Sequence, residues 1–89
     1  MAIAVVTGSS TGIGQATAIS LARAGHSVYA TMRNPDKGGD EIRAIASKEQ
    51  LSLRPARMDV DSTASVSDEL ARIIEDAGGI DILVNNAGI

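Results

Sequence analysis

The chain has 89 residues, a net charge of −3 and no cysteine, which limits it to one domain and excludes disulfides and thiolate metal sites. Its one histidine, His26, cannot build a metal site alone, and its one aromatic residue, Tyr29, offers no platform for stacked bases. No apolar run approaches the roughly 20 residues of a membrane span, and there is no basic leader. We therefore expect a cytoplasmic protein that binds neither nucleic acid nor membrane and holds no metal.

Apolar runs alternate with helical patterns along the whole chain. The predicted strands are Ile3–Thr7, Ser27–Met32, Leu51–Met58 and Ile82–Val84. The predicted helices are Gly12–Ala24, Asp40–Lys48 and a third that is capped by Asp61 or Ser62 and ends near Ala77. This alternation predicts an α/β fold, a Rossmann-like doubly wound parallel sheet with strand order 3-2-1-4.

Helical periodicity predicts which residues of two helices face the sheet. On the first helix they are Ile13, Ala16, Thr17, Leu21 and Ala24. On the last helix they are Val66, Leu70, Ile73, Ile74 and Ala77.

Four local features add expectations. Pro55 indicates that the third strand lies at an edge of the sheet. The composition of residues 34–39 is typical of a loop, and His26 follows a glycine as a solvated turn residue. The fully apolar Ile82–Val84 favours a strand covered on both faces, and Tyr29 is interpreted as a packing residue.

The segment Thr7–Gly14, T-G-S-S-T-G-I-G, joins the first strand to the first helix. A glycine-rich turn at a helix N-terminus can receive a phosphate, because free N–H groups and the helix dipole both favour an anion. Gly14 is followed by Gln15-Ala16 rather than Lys and Ser or Thr, so a P-loop is excluded, and the strict G-x-G-x-x-G pattern is absent. The alternative is a turn that only connects the two elements.

The loop resembles the T-G-x-x-x-G-[IL]-G pattern of the short-chain dehydrogenase/reductase family, and Asn85-Asn86-Ala87-Gly88 resembles the N-N-A-G motif of the same family. The resemblance implies that residues 1–89 are the N-terminal, incomplete part of a dinucleotide-binding Rossmann domain. It also implies a parent oxidoreductase that interconverts an alcohol and a carbonyl, usually as a homo-oligomer. The family's catalytic Ser, Tyr and Lys lie beyond N-N-A-G, so no catalytic residue is assigned, and the 89 residues alone are expected to be inactive.

The resemblance also implies a set of cofactor-binding residues. They are Gly8, Ser10, Thr11, Gly12, Ile13, Gly14, Arg33, Asp59, Val60, Asn86, Ala87 and Gly88. Asp59 and Val60 would hold the adenine ring, unless Asp59 only stabilises the next helix start. Met32 stands where NAD-binding members carry an acid, and Arg33 can receive a 2′-phosphate, so NADP is expected over NAD. The alternative is that Arg33 is only a solvent-facing side chain beside Asp36.

Two functions remain open for the parent protein. One is an enzyme that acts on a small alcohol or carbonyl substrate with NADP(H). The other is a non-catalytic nucleotide-binding or structural module with the same fold.

Overall fold

The computed structural model describes residues 1–86, which form four strands and four helices. In chain order they are β1 Ile3–Val6, α1 Gly12–Arg23, β2 Ser27–Met32, α2 Pro35–Gly38, α3 Asp40–Glu49, β3 Leu53–Arg57, α4 Thr63–Ala77 and β4 Ile82–Val84. The strands form one parallel sheet of order β3-β2-β1-β4, which confirms the predicted fold class. None of the helices in residues 1–86 combines the length and the apolar character needed to cross a bilayer.

Strand β3 forms one edge of this sheet, as Pro55 predicted. The N–H of Val28 donates to the carbonyl of Ser52, and the N–H of Met58 donates to the carbonyl of Met32. Alternate residues of a parallel strand bond to the same neighbour, so Pro55 turns its backbone away from β2. Its missing N–H therefore removes no bond from the sheet.

The two faces of the sheet bury different side chains. The cluster that includes α1 and α3 consists of Ala4, Val6, Ala18, Ala22, Val28, Ala30, Met32, Ile42 and Leu53. The cluster that includes α4 consists of Val5, Tyr29 and Ile73.

The predicted inner face of α1 is wrong at three positions. Ile13, Ala16 and Ala24 are exposed, whereas the buried residues of α1 are Gly14, Ala18 and Ala22. The strands below present mainly alanine and valine, and the helix lies against them through its smallest side chains. Hydrophobicity alone predicts that Ile13 rather than Gly14 faces the sheet. Close contact between the backbones of helix and sheet instead requires a glycine at the buried position.

Three further expectations are corrected. Residues Pro35–Gly38 form a short helix rather than a loop, with proline in its first turn, where its fixed φ and missing N–H are accommodated. Leu83 is 56% exposed, because β4 is the outermost strand of the described sheet and pairs only with β1. His26 is half-buried, and its Nδ1 accepts a hydrogen bond from the N–H of Ala2 at 3.0 Å, so it fastens the start of β1 rather than facing solvent.

On α4, Ile73 is buried, and Val66, Leu70 and Ala77 are half-buried, but Ile74 is 49% exposed. The prediction that Ile74 faces the sheet is therefore wrong. The apolar residues of α4 span a wider face of the helix than the one that it buries against the sheet. The N-cap of α4 is Ser62, whose side chain accepts from the N–H of Ser65 at 3.2 Å. Of the two predicted caps, the structure thus selects Ser62 over Asp61.

Candidate functional site

The glycine loop leaves β1 through a left-handed turn at Gly8, with φ of 64°, and enters α1 through a second one at Gly12, with φ of 62°. A side chain would strain both positions. Between them, the hydroxyl of Ser9 donates to the carbonyl of Val6 at 2.6 Å, and the N–H of Ser9 donates to the carbonyl of Thr31 at 3.1 Å. The loop is therefore fastened to both β1 and β2.

Gly14 packs against the carbonyl of Gly8. A Cβ at position 14 would lie 2.1 Å from that oxygen and 2.7 Å from Nδ2 of Asn86. The Asn86 amide itself donates to the Gly8 carbonyl at 3.2 Å. Gly8, Gly14 and Asn86 thus meet at one point, and the end of β4 holds the glycine loop in place.

The N-terminus of α1 opens toward this loop. The first intrahelical bond in this region runs from the N–H of Gln15 to the carbonyl of Thr11, and the Thr11 side chain does not cap the helix. The N–H groups of the first turn therefore lack intrahelical acceptors, which is the condition for anion binding at a helix N-terminus. Ile13 is 78% exposed beside them.

Two neighbouring clefts run from the loop across the carboxyl ends of the strands. One, of about 370 Å³, is lined by Gly8, Ser10, Met32, Arg33, Met58, Val60 and Asp61. The other, of about 600 Å³, is lined by Ser10, Thr11, Met32, Arg33, Asn34, Lys37, Gly38, Asp40 and Glu41. Both are lined by Ser10, Met32 and Arg33, so the two clefts adjoin at these residues, and together they are called the groove beside the glycine loop.

Arg33 projects into this groove from the end of β2. Its Nη2 contacts Oδ2 of Asp61, and its Nε lies 3.4 Å from Oδ1 of Asp59. Arg33 is 68% exposed. Arg33 is thus solvent-facing, as the alternative has it, but its carboxylate partners are Asp59 and Asp61, which follow β3, rather than Asp36. Its role toward a 2′-phosphate stays a prediction.

Asp59 has contacts of its own with the turn that leads into α4. Its Oδ1 accepts from the N–H of Asp61 at 3.0 Å, and its own N–H donates to Oγ of Ser65 at 3.0 Å. Its carboxylate is nevertheless 46% exposed, so it retains capacity to accept from a ligand. Val60 is half-buried and lines the groove next to Met58. The adenine-binding role of Asp59 and Val60 stays a prediction.

The N-N-A-G segment is described only at its first two residues. The Thr7 hydroxyl lies within hydrogen-bond distance of Oδ1 of Asn85, at 3.3 Å, and of the carbonyl of Val84, at 3.4 Å. With the Asn86 contact to Gly8, both asparagines tie the end of β4 to the end of β1. The predicted cofactor-binding residues Ala87 and Gly88 lie outside the described residues.

Lys37 is a lining residue that sequence reasoning missed. It belongs to α2, which folds against the glycine loop so closely that a Cβ at Gly38 would lie 2.8 Å from Cβ of Ser10. The composition of residues 34–39 predicts a loop, which gives no reason to place Lys37 in the lining of the groove. The signal that could have found it is the Asn34-Pro35 pair, which is typical of a helix start.

Residues 1–86 contain no group of three or more histidine, aspartate or glutamate side chains placed to hold a metal ion.

Comparison with known proteins agrees with this architecture. A family model for short chain dehydrogenases matches residues 2–89. The chain belongs to the short-chain dehydrogenase family. Members of this oxidoreductase family use a nicotinamide cofactor.

Individual relatives match over almost the whole chain. An acetoacetyl-CoA reductase of Rhizobium meliloti (strain 1021) is 40% identical over 87 residues, covering 98% of this chain and 34% of that protein. Retinol dehydrogenase 13 of Homo sapiens is 36% identical over 88 residues, covering 96% of this chain and 26% of that protein. The crystal structure of a hydroxysteroid dehydrogenase from Escherichia coli matches with a TM-score of 0.88 at 34% identity, covering 99% of this chain and 37% of that one. The chain thus spans between about a quarter and somewhat more than a third of the length of these proteins.

Proposed function

We propose that this chain is the NADP(H)-binding portion of an oxidoreductase that interconverts an alcohol and a carbonyl by hydride transfer. The observation that carries the proposal is the groove lined both by Thr11, at the uncapped N-terminus of α1, and by Arg33. Family membership supports the redox chemistry, and the groove supports the cofactor.

The residues along the groove fit a dinucleotide. At the glycine loop, the free N–H groups of α1 suit a pyrophosphate, and the absence of side chains at Gly8 and Gly12 leaves room for close approach. Farther along, Met58 and Val60 provide an apolar surface for a base, with the carboxylate of Asp59 next in sequence. When bound, the nicotinamide would accept or donate the hydride.

The charge at the end of β2 supports NADP over NAD. A carboxylate at this position would bind the free ribose hydroxyls of NAD and repel a phosphate, but the residue here is the uncharged, buried Met32. Arg33 follows it and offers a planar set of donors, and Lys37 adds a second positive charge to the lining of the same groove. Both cations favour a 2′-phosphate, and they share the groove with the carboxylates of Asp40, Glu41 and Asp61.

The remaining proposals concern the whole protein. We infer a small alcohol or carbonyl substrate, a homo-oligomer and a cytoplasmic location. The names of relatives range from an acetoacetyl-CoA reductase to a retinol dehydrogenase, so they support the reaction class more than any one substrate.

The test is a fluorescence titration of NADPH against NADH on the full product of the reading frame that contains this chain. We expect NADPH to bind about 10- to 100-fold more tightly, the range expected for hydrogen bonds to a charged group. Arg33→Asp should abolish or reverse this preference, whereas Lys48→Asp, an equal change of charge in the last turn of α3, should leave it intact. Equal affinities in the unaltered protein would contradict NADP binding.

A turnover assay separates the enzyme from the alternative module. Oxidation of NADPH by a panel of ketones and aldehydes supports the enzyme. Tight NADPH binding without turnover of any carbonyl or alcohol supports the non-catalytic module. The 89 residues alone should show no turnover.

A further inference from the structure

Arg33 is already engaged in the structure. Its guanidinium contacts the carboxylate of Asp61 through Nη2, and its Nε lies 3.4 Å from Asp59. One positive charge is thus shared by two negative charges, so this corner of the groove carries a net negative charge. A 2′-phosphate that approaches Arg33 must compete with these carboxylates for the same donors.

The two carboxylates are not equivalent. Asp59 is held by the turn, since its Oδ1 accepts from the N–H of Asp61, and it approaches Arg33 only through Nε. Asp61 is 74% exposed, lines the groove, and contacts the terminal Nη2 nitrogen. In bidentate contacts of arginine with phosphate, the terminal nitrogens are among the donors that face the anion. Asp61 is therefore the direct competitor of the phosphate.

The backbone keeps Asp61 in this position. Its N–H donates to Asp59, and the next residue, Ser62, is the N-cap of α4. The carboxylate of Asp61 does not cap the helix, because the side chain of Ser62 makes that contact. Replacing the Asp61 carboxylate by an amide therefore leaves the cap of α4 in place.

We propose that Asp61 is a specificity-determining residue that holds Arg33 away from a bound 2′-phosphate and thereby reduces the preference for NADP. The inference rests on the proposed NADP function of the groove. Selectivity at this site is then a balance in which Arg33 and Lys37 attract the phosphate, and Asp61 opposes it by occupying Arg33.

The test uses two probes, adenosine 2′,5′-bisphosphate and adenosine 5′-monophosphate, in isothermal titration calorimetry on the full protein. Asp61→Asn should lower the Kd of the bisphosphate about two- to fivefold, the size expected for release of an exposed ion pair. The Kd of the monophosphate should stay unchanged. The gain should shrink in 1 M salt, where the Debye screening length falls to about 3 Å. Asp68→Asn, an equal change of charge on α4 outside this groove, should change neither Kd.

The effect must also depend on Arg33. On an Arg33→Gln background, Asp61→Asn should no longer improve binding of the bisphosphate, and a gain that persists there would overturn the proposal. If Asp61→Asn leaves the ratio of the two Kd values unchanged or weakens the bisphosphate, Asp61 does not oppose the phosphate. If the Asp61→Asn variant folds poorly, Asp61→Ser tests the same prediction, because it also removes the carboxylate. If the unaltered protein binds both probes equally, the NADP function itself fails, and this inference fails with it.

Discussion

On the face of the sheet toward α1 and α3, the strands present mainly alanine and valine, and α1 packs through Gly14, Ala18 and Ala22. On the face toward α4, the larger side chains of Tyr29 and Ile73 fill the space between strand and helix. The first face brings backbone close to backbone, whereas the second keeps them apart by side chains. The candidate cofactor loop is built on the first face.

This difference has a functional meaning. Close packing of α1 fixes the distance between the glycine loop, the end of β4 and the helix N-terminus, which together would hold a pyrophosphate. Where side chains separate a helix from the sheet, the helix can move inward when one side chain is shortened. Where the two backbones are already in contact, an added side-chain atom finds no space. The two faces should therefore respond unequally to substitution, and three variants test this.

Gly14→Ala should have the largest effect. Its Cβ would lie 2.1 Å from the carbonyl oxygen of Gly8, and no rotation of a flexible side chain can remove that clash. We expect a loss of about 3 kcal/mol or more in the free energy of unfolding, at the upper end of overpacked sites, together with the loss of nucleotide binding. Urea unfolding and the NADPH titration measure the two effects.

Ala16→Leu is the matched control for this variant, because it enlarges an exposed position of the same helix. It should change the free energy of unfolding by less than about 0.5 kcal/mol. A Gly14→Ala protein that unfolds at the same urea concentration as the unaltered protein would show that α1 can move away from the sheet. The close face would then be as adaptable as the α4 face.

Ile73→Ala should have the second-largest effect. Ile73 is only 2% exposed and is the one buried residue that α4 contributes to its hydrophobic cluster in the described chain. We expect a loss of about 2–3 kcal/mol in urea unfolding, the low end for such truncations, because α4 can settle onto the sheet. NADPH affinity should be retained.

Ile74→Ala removes the same atoms from the neighbouring residue, which is 49% exposed. It should cost less than about 1 kcal/mol. Equal losses for the two variants would mean that α4 buries both residues equally, against the structure.

The strand order and the positions of α1, α3 and α4 could be predicted because alternating patterns, glycines and caps are local signals. Pro55 even indicated the edge strand, since a missing N–H has a definite cost inside a sheet. The inner face of α1 could not be read in the same way. The choice between Ile13 and Gly14 depends on how near the sheet lies, which the residues of the helix do not encode.

The site shows the same division. The glycine loop and Arg33 stand in recognisable positions of the sequence, whereas the pairing of Arg33 with Asp61 joins residues 28 positions apart. Lys37 was missed because its place in the lining of the groove depends on the path of α2, whose Gly38 packs against Ser10. The parts of the site that local sequence patterns did not predict are therefore those that depend on contacts between separate elements of the fold.

Tyr29→Phe should have the smallest effect, and one that depends on pH. Tyr29 Oη donates to Oδ2 of Asp76 at 2.5 Å and accepts from Arg54 at 2.9 Å. Burial, with the hydrogen bond to Asp76, raises the pKa of Tyr29 above its ordinary value near 10. The phenol therefore keeps its proton in the folded chain at pH values where the unfolded chain has lost it.

The sign of the pH dependence follows from this. A raised pKa in the folded state gives stability that is complete below about pH 10 and is lost as the pH rises through the folded pKa. At about pH 8, Tyr29→Phe should cost about 0.5–1 kcal/mol in urea unfolding, the value of one hydrogen bond to a largely exposed carboxylate. Above about pH 10 this difference should shrink as the pH approaches the raised pKa of Tyr29. A difference that is equal at both pH values would contradict a raised pKa of Tyr29 in the folded chain.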